Sequence, residues 1–135
     1  GYGRLPGMGA VGAKLLYLDQ RIQHAGVIMG VHGLTGHACQ PNRNDEAPAE
    51  YARVARNYLA VTAACMLSRK SVFQEVGGFN ALDLKIGWND VDYCLRLRDR
   101  GYRVVMNPYA QLYHLETQSR GDDKNDNEIA YMKEH

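Results

Sequence analysis

The sequence predicts an α/β layered fold, and three stretches carry that prediction. Residues 59–67 (LAVTAACML) are small and apolar throughout, as expected of a central strand covered on both faces. Residues 87–101 (GWNDVDYCLRLRDRG) read as a short helix with both ends marked. Residues 11–18 and 22–29 are apolar runs separated by the polar turn Asp19-Gln20-Arg21, the pattern of a hairpin. A chain of 135 residues is long enough for one domain with one core.

Taken in order, residues 1–9 are Gly-rich with Pro6 and read as a loop leading into the 11–18 and 22–29 strands. Gly30, Gly33 and Gly36 then break the periodicity, so 30–50 reads as a loop with a polar section at 41–48. His24, His32 and His37 invite a metal reading, but their spacings match no usual ligand pattern. Tyr51, Val54, Ala55 and Tyr58 have the spacing of a short helix. After the 59–67 strand, Ser68 is placed to cap a helix carrying Val72, Phe73 and Val76 on one side. Gly77-Gly78 ends it, Phe79 packs back, and 80–88 is irregular.

The next helix is the most heavily marked. Asn89 is a favourable N-cap, and Asp90 and Asp92 lie at the positive end of the helix dipole. Val91, Cys94, Leu95 and Arg98 recur on one face, Asp92 and Arg96 are spaced for an ion pair, and Gly101 can close the helix. Positions two apart on a helix point to different sides, so Asp90 and Asp92 cannot serve one substrate together. Residues 103–106 form a strand stopped by Asn107-Pro108. Residues 109–115 alternate, with Ala110, Leu112 and His114 on one face and Tyr109, Gln111 and Tyr113 on the other. A polar loop over 117–127 precedes a final helix start with Ile129 and Met132 on one side.

Composition excludes several roles. The net charge of +1, with no basic face in the residue order, argues against nucleic acid or an anionic membrane as the main partner. No apolar run reaches the length of a membrane span, and no signal-peptide pattern opens the chain. Cys39, Cys65 and Cys94 are odd in number and lack metal-like spacing. Cys65 and Cys94 sit in apolar patterns and read as buried thiols. A reducing cytoplasm is the simplest compartment.

Seven segments together carry a resemblance. They are 11–16 (VGAKLL), 22–27 (IQHAGV), 60–67 (AVTAACML), 75–79 (EVGGF), 89–98 (NDVDYCLRLR), 101–105 (GYRVV) and 108–114 (PYAQLYH). Their order and spacing resemble the C-terminal half of family 2 glycosyltransferases, the bacterial kind that build cell-surface and O-antigen polysaccharides. The resemblance implies a partial GT-A (nucleotide-diphospho-sugar transferase) fold: the C-terminal portion of a mixed, mostly parallel sheet with flanking helices. It implies an inverting transfer of a sugar from a nucleotide-diphospho-sugar donor to a hydroxyl of a glycan or lipid-linked acceptor. It implies a setting in the cytoplasm, at the inner face of the membrane. By the same resemblance Asp90 corresponds to the general base, Trp88 and Asn89 to the acceptor site, and His114 to a ligand of Mn²⁺ or Mg²⁺. Ser119 and Arg120 lie in the loop that closes over the donor.

Two positions depart from the pattern: Asn89 stands where the family usually has Glu, and Ala63 where it often has Gly. The family's first nucleotide-binding strand and metal-gripping Asp-x-Asp have no counterpart before Val11. Residues 1–135 are therefore expected to be the acceptor-side portion of one larger domain, inactive and prone to self-association when isolated. Chemically, a carboxylate within reach of the acceptor hydroxyl supplies the base. A divalent cation neutralises the departing diphosphate, and an added His suits Mn²⁺. An indole suits the apolar face of a sugar ring.

The structural alternatives stay open beside these roles. Asp90 can simply complete a helix start, His114 can be a buried structural His, and Arg120 can be a solvated loop residue. Asp92 reads as structural. For the whole chain, the rival reading is a non-catalytic carbohydrate-binding or assembly module that keeps the fold.

Overall fold

The structure is a computed structural model that describes residues 1–29, 35–37, 53–84, 88–115 and 126–134. Its backbone is a parallel pair of long strands, β1 (Met8–Leu16) and β7 (Arg103–Tyr113). Five described strands make the sheet, in the order β2 (Ile22–His24), β1, β7, β5 (Arg56–Asn57), with β6 (Met66–Ser68) also on β1. The pairings around the central pair are antiparallel. A separate two-stranded ribbon joins β3 (Val27–Met29) to β4 (Thr35–His37), a strand inside the stretch expected to be loop. The mixed α/β architecture expected of a partial GT-A fold is present, with helices α1 (Lys70–Glu75), α2 (Asn89–Asp99) and α3 (Asp126–Glu134).

The expected hairpin is there, with Leu15 opposite His24 and Leu16 opposite Ile22. Its second strand breaks in two at Gly26, whose φ of 112° suits glycine and lets the Tyr58 ring sit where a side chain would be. The helix expected near Tyr58 is not formed over 53–58. The backbone instead turns and pairs Arg56-Asn57 with β7, while Tyr51 lies outside the described residues.

Residues 59–67 correct the sequence reading most. They are not a central strand. Ala60 makes one bridge to Val27, residues Ala63–Cys65 form a 3₁₀ turn, and only then does β6 begin, antiparallel to β1. Ser68 does not cap α1 but ends β6, donating to the Gly9 carbonyl at 2.7 Å and sharing a 2.6 Å bond with the Tyr93 hydroxyl. Buried Tyr93 forms an aromatic cluster with Phe73 and Phe79, so Phe79 does pack back as expected.

Helix α2 packs over β1 and β7 through Val91, Tyr93, Cys94 and Leu97, which are buried, whereas Arg98 is exposed. Gly101, at φ 82°, closes it as expected. Its N–H bonds Arg98 O at 2.9 Å and the Tyr102 N–H bonds Leu97 O at 3.0 Å, the paired reverse bonds of a Schellman ending. Pro108 does not stop β7: the register jumps from Ala13–Asn107 to Lys14–Gln111, so 108–110 bulge out and Pro108 owes the ladder no donor. Neither face of 109–113 is buried.

Gly12, on β1, lets the chain approach Val61 closely. A Cβ there would lie 2.5 Å from the Val61 Cβ and 2.7 Å from its Cγ1. Gly12→Ala is therefore expected to destabilise the 135-residue chain by about 1–3 kcal/mol through overpacking. That lowers the melting temperature by roughly 4 °C per kcal/mol. An unchanged melting temperature would show that the approach of Val61 is not tight.

Candidate functional site

Trp88, Asn89 and Asp90 stand together at the start of α2, where the sequence placed them. The capping differs from expectation. Asn89 is the first helical residue, and the residue ahead of it is Trp88, held in the left-handed region at φ 62° with no side-chain cap. For a bulky residue this conformation is an outlier and stores strain of order 1–3 kcal/mol. The Asn89 side chain turns back instead: Nδ2 donates to the Leu84 carbonyl, and Oδ1 is buried with no partner.

Asp90 does the work expected of Asn89. Its Oδ1 accepts from the Val91 N–H at 2.9 Å, one of the donors a helix start leaves free. Its Oδ2 accepts from the Ala63 N–H at 3.0 Å, tying the helix entrance to the 3₁₀ turn. Each oxygen keeps a second lone pair, so the carboxylate is oriented by two backbone donors and can still accept a substrate proton.

The turn is held by two further acceptors. The Thr62 N–H donates to His24 Nε2 at 3.2 Å, and the Ala64 N–H donates to Thr62 Oγ1 at 3.3 Å. Three successive backbone donors thus end on β2, on α2 and on the turn itself. Sequence reasoning weighed His24 only as a metal ligand. The signal available was a His inside a short, largely apolar stretch between Ile22 and Val27, and the residue is 1% exposed.

Asp92 points away from this entrance, as its spacing required. It pairs with Arg96 at 2.7 Å. Beneath the entrance lies Cys94, whose thiol is pushed up to about 12, first by burial and further by the Asp90 charge, against a hydrogen bond from the Val61 backbone that lowers it. It is a protonated, inert wall at neutral pH. Cys65 is half-buried rather than buried, and Cys39 lies outside the described residues.

His114 follows the end of β7. Its Nδ1 is 2.9 Å from Gln23 Oε1, and its N–H donates to Leu16 O at 3.1 Å. With Nδ1 as the donor, Nε2 keeps a lone pair, the arrangement of a metal-binding imidazole. No bond or ion pair among the described residues joins it to Asp90. No group of three His, Cys, Asp or Glu that could hold a metal occurs among the described residues. His114 is thus a single candidate ligand, and the described residues do not by themselves fit a divalent cation. Ser119 and Arg120 lie outside the described residues.

Comparisons with known proteins bear on the same segments. The family described as "Glycosyltransferase like family 2" matches residues 6–128. "Uncharacterized protein y4gI" of Sinorhizobium fredii is 42% identical over 141 residues, covering 95% of this chain and 15% of that protein. "O-antigen biosynthesis protein RfbC" of Myxococcus xanthus is 39% identical over 120 residues, covering 87% of this chain and 9% of that protein. The chain spans only these small shares of the curated relatives it matches. No helix among the described residues is long and apolar enough to cross a membrane.

Proposed function

The chain belongs to glycosyltransferase like family 2, and on that premise we propose that it is the acceptor-side part of an inverting glycosyltransferase. The donor is a nucleotide-diphospho-sugar, the acceptor a hydroxyl of a glycan or lipid-linked glycan, and the setting cell-surface polysaccharide synthesis at the inner face of the membrane. The observation that carries the reading is the Asp90 carboxylate, held by two backbone donors beside the strained Trp88. A base must be within hydrogen-bond reach of the hydroxyl it activates, and fixed orientation removes the entropy of finding that pose. Asp90 takes the acceptor proton as the hydroxyl oxygen attacks the anomeric carbon. The bond from that carbon to the diphosphate breaks, and attack from the opposite face inverts the centre. Trp88 offers its indole to the sugar. Ser119 and Arg120 are assigned to the donor.

The test is product analysis with the full natural chain. Incubated with uridine, guanosine and thymidine diphospho-sugars and a glycan acceptor, it is expected to release nucleoside diphosphate only when acceptor is present. The new glycosidic bond should have the opposite anomeric configuration to the donor, read by NMR coupling constants. Retention of configuration would overturn the inverting assignment. Tight glycan binding with no release from any donor would favour a non-catalytic binding module, the reading to which the Asn89 departure also leans.

A further inference from the structure

We infer that His24 is a positioning residue for Asp90, acting through the 62–65 turn; the inference rests on the reading of Asp90 as the base. Nothing in the resemblance or the relatives assigns His24 a role. The imidazole sits on β2, 1% exposed, and its Nε2 accepts the Thr62 N–H. The next donor along the chain, the Ala63 N–H, ends on Asp90 Oδ2. The third, the Ala64 N–H, is taken by Thr62 Oγ1. A three-residue 3₁₀ turn has little internal hydrogen bonding of its own, so its place is set by where these donors go. Two of the acceptors come from elsewhere in the fold, β2 on one side and α2 on the other. Removing the His24 acceptor leaves the Thr62 N–H unpaired in a half-buried place, and the turn must shift or admit water to satisfy it. Any such shift moves the Ala63 N–H, which is one of the two donors that aim the carboxylate.

The bond also fixes the histidine. Nε2 can accept only in a neutral ring protonated at Nδ1. The device therefore needs an acceptor at the place of Nε2 and no charge. Gln puts its Oε1 near that place, whereas the Asn Oδ1 falls at the level of Nδ1, short of Thr62. His24→Gln and His24→Asn are thus a pair of polar, neutral substitutions that differ in reach.

The experiment uses the full natural chain with whichever uridine, guanosine or thymidine diphospho-sugar it turns over, and it measures two things. By mass spectrometry, amide exchange of a peptide spanning 59–67 is expected to speed up in His24→Asn and to stay near wild type in His24→Gln. In steady-state kinetics, His24→Asn is expected to lower kcat by about 10- to 100-fold with the donor KM nearly unchanged, and His24→Gln to restore most of it. In an Asp90→Asn background, His24→Asn should cost nothing further, because the group it positions is gone. Equal kcat losses from the Asn and Gln substitutions would overturn the inference. So would a loss from His24→Asn that persists undiminished beside Asp90→Asn, as expected of a purely structural histidine. If Asp90→Asn alone turns over like wild type, it is the base assignment that fails, and the exchange rates still report whether His24 holds the turn.

Discussion

In the full natural chain, Asp90→Asn is expected to lower kcat by a factor on the order of 10²–10⁴ and to leave the donor KM nearly intact. The substitution removes the proton acceptor but is not silent structurally. Both carboxylate oxygens accept backbone N–H groups, so an Asn side chain must turn its NH₂ toward either Val91 or Ala63. One backbone donor then faces another donor, at a cost of about 1–2 kcal/mol. A fall of several degrees in melting temperature should therefore accompany the kinetic loss. The two effects are read separately: the melting temperature reports the lost backbone bond, and kcat reports the lost proton acceptor. Asp92→Asn should keep kcat, since Asp92 is paired with Arg96 on another side of the helix. If Asp90→Asn is fully active and Asp92→Asn is dead, the roles are reversed; if both are active, the entrance of α2 is structural.

The same residues show where sequence reading reached and where it stopped. Helix α2 was legible because its signals are local: an acidic first turn, an (i, i+4) ion pair and a glycine closure all lie within thirteen residues. The hairpin was legible from one polar turn between two apolar runs. Residues 59–67 were not, because their fate is decided by distant acceptors. His24 and Asp90 lie 38 and 27 residues away in sequence, and they draw the Thr62 and Ala63 donors out of any ladder. An apolar run of this length has no periodicity of its own to resist them. Pro108 misled for a related reason. It forbids a ladder donor but not a bulge, and the register of β1 against β7 supplies the bulge. At the site, the propensity rule chose Asn89 as cap, whereas the Asp90 side chain takes up the free donor from within the first turn. A departure from local rule at this entrance is what a functional site produces. The left-handed Trp88 was foreshadowed by nothing in the sequence.

Arg96→Ala should destabilise the chain far more than an ordinary surface substitution on α2. The pair with Asp92 looked like a surface (i, i+4) contact worth a few tenths of a kcal/mol. The structure makes it more than that. The two side chains are only 31% and 13% exposed. Arg96 Nε and Nη2 both reach Asp92 Oδ2, at 3.0 and 2.7 Å. Nη2 also donates to the Gly78 carbonyl at 2.6 Å, and Nη1 donates to the Val76 carbonyl. One guanidinium therefore neutralises a half-buried carboxylate and satisfies the last carbonyls behind α1, joining the two helices. Truncation leaves the charge and both carbonyls without it. Fully buried pairs broken this way cost about 3–5 kcal/mol, and partial exposure reduces that to roughly 2–3 kcal/mol here. The melting temperature of the 135-residue chain should fall by about 10 °C. Arg96→Lys should recover less than half, because an ammonium on a single stem cannot span three acceptors laid out for a planar fork. Asp92→Asn should cost about 1 kcal/mol, since an amide oxygen still accepts from the guanidinium. Thermal and urea melts of the three variants decide the matter. If Arg96→Ala loses no more than a few tenths of a kcal/mol, the guanidinium is an ordinary surface cation and the junction of α1 with α2 is held by the Phe73, Phe79 and Tyr93 cluster instead.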